Sequence, residues 1–434
     1  MRAMTFLRRT ALLSVGLAAL APRTGAQTVA ITGGTVIPVS GPRIANGTVL
    51  IRDGRIVAVG ANVTIPADAQ RVDATGKWVT PGFINAATTL GLTEGGSPQF
   101  SGGYNDASAN GSHGIAAAFE PWKGVNPANT YIIPSRQEGV TTVVVAPGGG
   151  MIGGRIGVID LVDAASAAEM LRRAPVAMSG DFGSPGAGET GARPEYWAKW
   201  RSLFDDVKAY QARRAAYESG NTRALAAPRG ELEALIPVVA GQLPLALSVD
   251  RATDIRAALD FAKEYGLKLW IVGGAEAWMV AKELAAAKVP VFTGAMNNIP
   301  SSFDALGQRQ ETAALLRAAG VTVVLIGNGP GDPANINVRN IRQEAGNAVA
   351  YGLSWDEALR AITLAPAEVL GIAGQVGSLD AGKDANVVVW SGDPFEFSSV
   401  AEQVFVRGRT SSAKSRQQQL LERYLTLPPA YRRP

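Results

Sequence analysis

The stretch VTPGFINAATTLGLTE, residues 79–94, is typical of the entry into a buried strand. Pro81 and Gly82 form a turn, and a short apolar run follows it. Since alternate residues of a strand point the same way, Ala87 and Thr89 are expected to face one cavity at the strand end. Neither side chain is a strong metal ligand or an acid, so the stretch predicts a cavity mouth with little chemistry of its own.

Seven further β-rich runs follow this strand. They cover 140–147, 155–161, 174–180, 243–249, 267–274, 289–295 and 321–328. Helical patterns separate the later runs: residues 254–266 carry one apolar stripe that ends at Gly266, and Ser354 with Glu357 has capping-box spacing. Eight strands with helical crossovers predict an α/β fold, a (β/α)₈ TIM barrel over residues 81–375, with function at the C-terminal ends of its strands.

The two ends of the chain have a different pattern. Residues 27–80 and 376–410 contain short β runs divided by glycines, with a hairpin turn at Asp53 and Gly54. We expect these segments to pair into one small β-sandwich made from both chain ends. Residues 411–434 form a basic tail, for which a solvated helix is favoured over a segment that touches a membrane surface or a partner.

Residue counts limit the chemistry more strongly than any motif. The 434-residue chain contains 0 cysteines and 1 histidine, which excludes disulfides, thiolate ligands and sites built from several imidazoles. The single histidine, His113, lies in a Gly/Ser-rich run, where a solvated loop residue is favoured over an acid–base catalyst.

The first 26 residues are typical of an export signal. Arg8 and Arg9 precede an apolar run over 11–21, and Ala26 ends a small-residue cleavage motif. That run is too short to span a bilayer, and no later run is long enough. We expect a mature periplasmic or extracellular chain that starts near Gln27, exported by the general or the twin-arginine route. Its charge would be 41 − 4 = 37 bases against 37 acids, with no sign of nucleic-acid binding.

Four stretches of the mature chain resemble the amidohydrolase superfamily, and more narrowly its secreted imidazolonepropionase-like members. They are residues 79–92, 138–161, 254–278 and 351–394, the last being the most specific. The resemblance implies a hydrolase of carbon–nitrogen bonds other than peptide bonds, which uses zinc or another divalent metal. It also implies where the metal ligands and the catalytic base should stand.

The residues at those implied positions do not suit a metal. The first-strand histidine pair falls on Ala87 and Thr89, the fifth-strand histidine on Ser248 and the sixth-strand histidine on Gly273. The eighth-strand aspartate falls on Asn328, or on Gly329 if the register shifts by one. Alanine and glycine supply no ligand atom, and neutral hydroxyl and amide oxygens bind a divalent metal weakly. An asparagine also cannot accept a proton as an aspartate does. We therefore expect no metal cofactor.

These substitutions predict an exported, non-catalytic relative, a pseudoenzyme. It would bind a small ligand in the barrel mouth, or partner an active homologue or a second copy of itself. The alternative is an active hydrolase of amide or cyclic amide bonds with a non-standard site. Candidate pocket residues are Thr89, Ser248, Asp250, Glu276, Asn328 and Arg155.

Several of these candidates also have a purely structural interpretation. Asp250 and Glu276 would suit acid–base work as a pair, but a salt bridge from Asp250 to Arg251 or Arg256, and a helix start at Glu276, are favoured. The run Gly148–Gly153 matches G-x-G-x-x-G, yet a strand follows it, so turn glycines are favoured over a dinucleotide site. Arg155 beside this run would assist an anion. An oxygen-only metal site is a further option, from Glu94, Asp106, Asp181 and Glu189.

Overall fold

The computed structural model describes residues 28–94, 104–182, 192–296, 300, 302–327 and 338–425. The predicted signal segment and Asn328 lie outside these ranges. The strands are β1 Thr28–Val36, β2 Ile44–Arg52, β3 Arg55–Gly60, β4 Gln70–Asp73, β5 Trp78–Pro81, β6 Phe83–Thr88, β7 Val140–Val145, β8 Ile152–Asp160, β9 Leu171–Asp181, β10 Leu245–Val249, β11 Leu269–Gly273, β12 Val291–Thr293, β13 Val323–Leu325, β14 Val387–Trp390 and β15 Ala401–Phe405.

The α-helices lie mostly between the later strands. They are α1 Ile132–Gln137, α2 Ala167–Met170, α3 Arg193–Ala212, α4 Arg214–Glu218, α5 Arg229–Val239, α6 Ala252–Tyr265, α7 Ala281–Ala286, α8 Thr312–Ala318, α9 Ile341–Ala350, α10 Trp355–Ala361, α11 Leu364–Val369 and α12 Arg416–Tyr424. Four 3₁₀ turns add Pro121–Gly124, Ala277–Val280, Phe303–Ala305 and Val338–Asn340. Within the described ranges, no helix combines the length and the apolar character needed to cross a bilayer.

Strands β6 to β13 form one eight-stranded sheet in sequence order, whose edge strands β6 and β13 approach each other. This nearly closed barrel confirms the predicted α/β (β/α)₈ fold. Each of the eight β-rich runs became one of its strands. Seven strands run parallel, so their C-terminal ends meet at one side of the barrel, the mouth.

Strand β8 runs the other way and pairs antiparallel with both β7 and β9. The expectation of helical crossovers was therefore wrong in this part of the barrel. Only residues 146–151 join β7 to β8, and a parallel crossover needs a dozen residues or more. Gly149 and Gly150 take φ values of +87° and +70° in this hairpin, which glycine adopts without steric cost. The glycine-rich run is thus a hairpin turn at the mouth.

The two chain ends share a second sheet of seven strands, in the order β15-β14-β5-β1-β2-β3 with β4 also on β1. This confirms that both ends build one β domain. Strand β1 is nine residues long, so β4 and β5 pair with successive parts of it and give a single branched sheet. Strand β5 lies between β1 and β14, which belong to opposite ends of the chain.

A buried ion-pair network, the Asp160 network, lies at the barrel end opposite the mouth. Asp160, fully buried at the end of β8, accepts hydrogen bonds from Arg172 Nε and Nη2 at 2.9 and 2.6 Å and from Arg407 Nε at 2.7 Å. Thr142 Oγ1 donates to the same carboxylate at 2.8 Å, and Arg172 also reaches Asp384 at 2.9 Å. Because Asp384 and Arg407 flank the strands of the second sheet, the network joins that sheet to the barrel.

Candidate functional site

The mouth of the barrel contains a cavity of about 280 Å³, the mouth cavity. Its volume lies just below the usual range for small-molecule sites. Residues from seven barrel strands and from the β7–β8 hairpin surround it. They include Ala86, Ala87, Val144, Ala146, Pro147, Gly148, Gly149, Gly150, Gly153, Ile156, Ser179, Gly180, Asp181, Ala246, Ser248, Trp270, Val272, Phe292 and Leu370.

Two aromatic rings close the cavity towards the barrel interior. Trp270 on β11 and Phe292 on β12 are buried, and their rings stack with centroids 5.4 Å apart. Both belong to the apolar cluster inside the barrel, together with Ala86 and Val144. These side chains follow the strand alternation, since inward residues of neighbouring strands share a layer. The cavity therefore offers a flat apolar surface to a ligand.

Few polar side chains reach the mouth cavity. Asp181 and Ser248 lie opposite each other in the register of β9 and β10, and Ser179 stands two residues before Asp181. Ser179 Oγ donates to the Pro147 carbonyl at 3.0 Å, which ties β9 to the hairpin. The Asp181 carbonyl accepts hydrogen bonds from Tyr196 and Trp200, so two aromatic side chains of α3 fix the strand end.

A second, smaller recess of about 130 Å³ adjoins the mouth cavity. Asp181 and Ser248 line both spaces, and the recess adds Asp250, Asp254 and Asp304. Arg193 at the start of α3 forms ion pairs with Asp254, at 2.9 Å, and with Asp304. Burial raises the pKa of the Asp254 carboxyl above its ordinary value, against the lowering influence of Arg193.

Asp250 holds the end of strand β11 in place. Its Oδ1 accepts the backbone N–H of Ala275 at 3.1 Å, and Gly273, two residues earlier at the end of β11, has a φ of +90°. A Cβ atom on Gly273 would lie 2.6 Å from Asp250 Oδ1. Burial raises the pKa of the Asp250 carboxyl, and the charges of Asp304 and Glu276 raise it further. Asp250 thus has a structural role. Of the two partners predicted for it, Arg251 and Arg256, Arg256 instead pairs with Glu283 at 3.0 Å.

The raised pKa of Asp250 predicts that the stability of the protein changes with pH. The native state holds this proton more tightly than the unfolded chain, so ionised Asp250 destabilises the protein above its native pKa. Asp250→Asn keeps an acceptor for Ala275 and removes the charge. We expect it to be more stable than the parent near pH 7, with the difference shrinking as pH falls towards about 4.

Urea unfolding at the two pH values measures this difference. Asp260→Asn, on the exposed face of α6, is the matched control for the removal of one carboxylate, and the effect of burial is the part of the Asp250→Asn difference that exceeds it. A variant that is less stable than the parent near pH 7 would contradict the assigned cause.

Of the residues that the sequence predicts to face the cavity, Ala87 and Ser248 line the mouth cavity. Thr89 follows the last residue of β6 and its hydroxyl lies 3.1 Å from that of Thr93, outside the lining residues of the described cavity. Asn328 lies outside the described residues. Whether any of these residues binds a ligand stays a prediction.

Glu276 and Arg155 are engaged in structural contacts. Glu276 Oε2 accepts the N–H of Ala252, the first residue of α6, and Oε1 accepts the N–H of Gly307, both at 2.9 Å. Glu276 therefore stabilises the start of a helix, as the structural interpretation predicted. That helix is α6, which precedes Glu276 in the chain, and not the helical segment that follows it. Arg155 Nη1 pairs with Glu120 at 2.6 Å, away from the described lining of the mouth cavity. An anion site on Arg155 is not supported by this placement.

The side chains at the mouth do not fit a divalent metal. At the positions implied by the resemblance, Ala87 and Gly273 offer no ligand atom and Ser248 offers a neutral hydroxyl. Across the described ranges, no group of three His, Cys, Asp or Glu side chains comes close enough to hold a metal ion. Of the carboxylates considered for an oxygen-only site, Glu94 accepts the N–H of Thr130, and Glu189 lies outside those ranges.

Trp270 and Phe292 are the site residues that the sequence analysis missed. A signal was present, because Ser248 on β10 has inward parity and Trp270 is the register partner of Ala246 on the same face. Following that parity from strand to strand would have placed both rings inside the barrel.

Part of the chain matches a protein family, and most of it is similar to proteins of known name. Residues 248–411 match the model of the amidohydrolase family. The imidazolonepropionase of Acidiphilium cryptum (strain JF-5) is 27% identical over 376 residues, which are 81% of this chain and 89% of that protein. The imidazolonepropionase of Maricaulis maris (strain MCS10) is 28% identical over 362 residues, 78% of this chain and 86% of that protein.

A solved structure shows the same architecture. The amidohydrolase from Thermotoga maritima MSB8 superimposes with a TM-score of 0.79, at 29% identity, over 89% of this chain and 100% of that one.

Proposed function

We propose that the chain is an exported member of the amidohydrolase superfamily without metal catalysis, which binds a small ligand in the mouth cavity. One observation carries the proposal: the cavity is retained, while Ala87 and Ser248 stand in its wall where the superfamily resemblance implies metal ligands. A largely apolar pocket whose wall carries Ala87 and Ser248 at the implied metal-ligand positions supports binding rather than metal-assisted hydrolysis.

The lining supports a small, flat and largely apolar ligand. Trp270 and Phe292 offer a stacking surface, and Asp181 with Ser248 offers hydrogen-bond acceptors at one side. A ring that carries N–H donors satisfies both features, since the rings favour planar contact and a buried polar group needs a partner. The names of the two similar imidazolonepropionases make five-membered cyclic amides, such as hydantoin and imidazolone, the first probes.

Filling the cavity tests whether it is the binding site. Ser248 is exposed at the cavity wall, so Ser248→Phe occupies the space without disturbing the barrel interior. We expect cyclic amides to bind the parent with a change in tryptophan fluorescence, because Trp270 lines the cavity. The variant should bind at least about tenfold more weakly, a loss of about 1.4 kcal/mol.

Ser202→Phe, exposed on α3 away from the cavity, is the matched control and should bind like the parent. Equal binding by the Ser248 variant and the parent would place the ligand elsewhere.

Metal content and turnover test the non-catalytic half of the proposal. We expect the purified protein to hold far less than one zinc, nickel or manganese ion per chain, and to leave cyclic amides unhydrolysed. Stoichiometric metal, or hydrolysis that is lost in Asp181→Asn, would establish the alternative of an active hydrolase with a non-standard site. Association with an active homologue or a second copy stays a prediction, which co-purification checks.

A further inference from the structure

The C-terminal helix α12 presents a large apolar face to solvent. It begins with a capping box, in which Ser415 and Gln418 bond each other's backbone N–H, and none of its residues is buried. Leu421, Tyr424 and the C-cap residue Leu425 are 62%, 69% and 70% exposed. Their spacing of three and four residues places them on one side of the helix. Three neighbouring side chains of this size are an unusual surface for a helix that remains solvated.

The charge of this region is strongly positive. Leaving out Arg407, which is paired with Asp160, residues 408–434 contain six Lys and Arg against the single acid Glu422, a net charge of 6 − 1 = +5. Glu422 is bound to Lys414 at 2.7 Å, and within the described ranges neither Arg416 nor Arg423 forms a salt bridge. Two copies of so basic a segment would repel each other, whereas an anionic surface would attract it. The charge therefore favours an anionic partner over a second copy of the chain.

Contacts with the barrel hold α12 at a fixed place. Gln137 at the end of α1 donates to Gln418 at 3.3 Å. Arg136, its buried neighbour, donates to Ser411 Oγ at 2.6 Å and so anchors the segment that leads into α12. The apolar face thus belongs to a helix tethered on the body of the protein.

From this combination we propose that α12 docks the protein on an anionic lipid surface. A helix with Leu and aromatic residues on one face and Arg on the other lies in the plane of a membrane, with its apolar face at the headgroup boundary. The basic residues of the tail then lie close to the lipid phosphates. This role is independent of the mouth cavity and does not depend on the function proposed for it.

Flotation of the full chain with lipid vesicles tests the proposal. Vesicles that contain phosphatidylglycerol are compared with pure phosphatidylcholine, at low and at high salt. We expect binding to the anionic vesicles, weakened by salt because the attraction is electrostatic. Arg416→Gln with Arg423→Gln should weaken it by about thirtyfold, since each basic residue near such a surface contributes about fivefold.

A second variant separates the apolar contribution. Leu421→Ser, Tyr424→Ser and Leu425→Ser together should also lose at least about tenfold in binding, because no apolar face remains to insert. Phe303→Ser with Leu306→Ser, which are 89% and 62% exposed on another surface, is the matched control and should bind like the parent. All variants keep the same N-terminus, so any contribution of residues 1–26 is common to them.

Three results would overturn the proposal: no binding of the parent to anionic vesicles, equal binding of the α12 variants, or equal binding to neutral lipid. A dimer of the parent that dissociates in the apolar variant would instead assign the face to contacts between copies. Since the substituted residues are exposed, unchanged circular dichroism and thermal unfolding should accompany each result.

Discussion

The Asp160→Ala variant is expected to lose about 3–5 kcal/mol of unfolding free energy, because it removes one partner of a buried ion-pair network. The Asp160 carboxylate is fully buried and neutralises Arg172, whose side chain is only 3% exposed. Without it, Arg172 keeps Asp384 alone, and Arg407 loses its 2.7 Å contact. Urea unfolding measures the loss, which combines a lost attraction with an uncompensated buried charge.

The control for Asp160→Ala is a substitution in a solvent-exposed ion pair of the same protein. Glu283 and Arg256 lie 3.0 Å apart with nearly half of each side chain exposed, so Glu283→Ala should cost less than about 1 kcal/mol. Asp160→Asn keeps the shape of the side chain and separates charge from packing. An Asp160→Ala loss as small as that of the control would show that the network contributes little to joining the two sheets.

Gly273→His is expected to destabilise the protein by about 2–4 kcal/mol. A residue other than glycine at a φ of +90° costs about 1–3 kcal/mol. In addition, its Cβ would displace Asp250 Oδ1 from the Ala275 N–H, a loss of about 1 kcal/mol. The imidazole at this implied metal position therefore cannot be restored without disturbing the end of β11.

A matched histidine shows whether the effect is local. Ser248 on β10 has an exposed side chain and ordinary strand geometry, so Ser248→His should change stability by less than about 0.5 kcal/mol. Gly273→Ala separates the backbone conformation from the imidazole itself. If Gly273→His unfolds at the same urea concentration as the parent, the close approach of Asp250 does not restrict this position.

The sequence predicted the positions of the barrel strands well, but not their direction. Glycine, proline and apolar runs mark where a strand begins and ends, whereas the alternation of a strand is the same in both directions. The reversed β8 was hidden for this reason. A clue existed in the short gap between the runs 140–147 and 155–161, which is too small for a crossover helix.

The site was predicted only in part. Strand parity predicted that Ala87 and Thr89 face one cavity, and Ala87 does line it. Thr89 lies past the end of β6, where that parity no longer applies. Ser248, which also lines the cavity, was indicated by the family resemblance and not by parity. Glu276 and Arg155 were candidates because charged residues near strand ends suit chemistry. Their partners are Ala252 and Gly307 for Glu276 and Glu120 for Arg155. These partners lie 24, 31 and 35 residues away in sequence, so no local pattern indicates the contacts.

The sharing of one sheet by both chain ends has a consequence for the order of synthesis. Strand β5 is synthesised early, but one of its edges pairs only with β14, which follows about 300 residues later in the chain. Trp390 of β14 also stacks on Phe83 of β6, with ring centroids 5.1 Å apart. Contacts of such long range form late, because loop closure precedes their gain. A chain interrupted before residue 387 keeps an unpaired β5 edge, a template for aggregation. Complete translation is therefore the step that commits this protein to its native state.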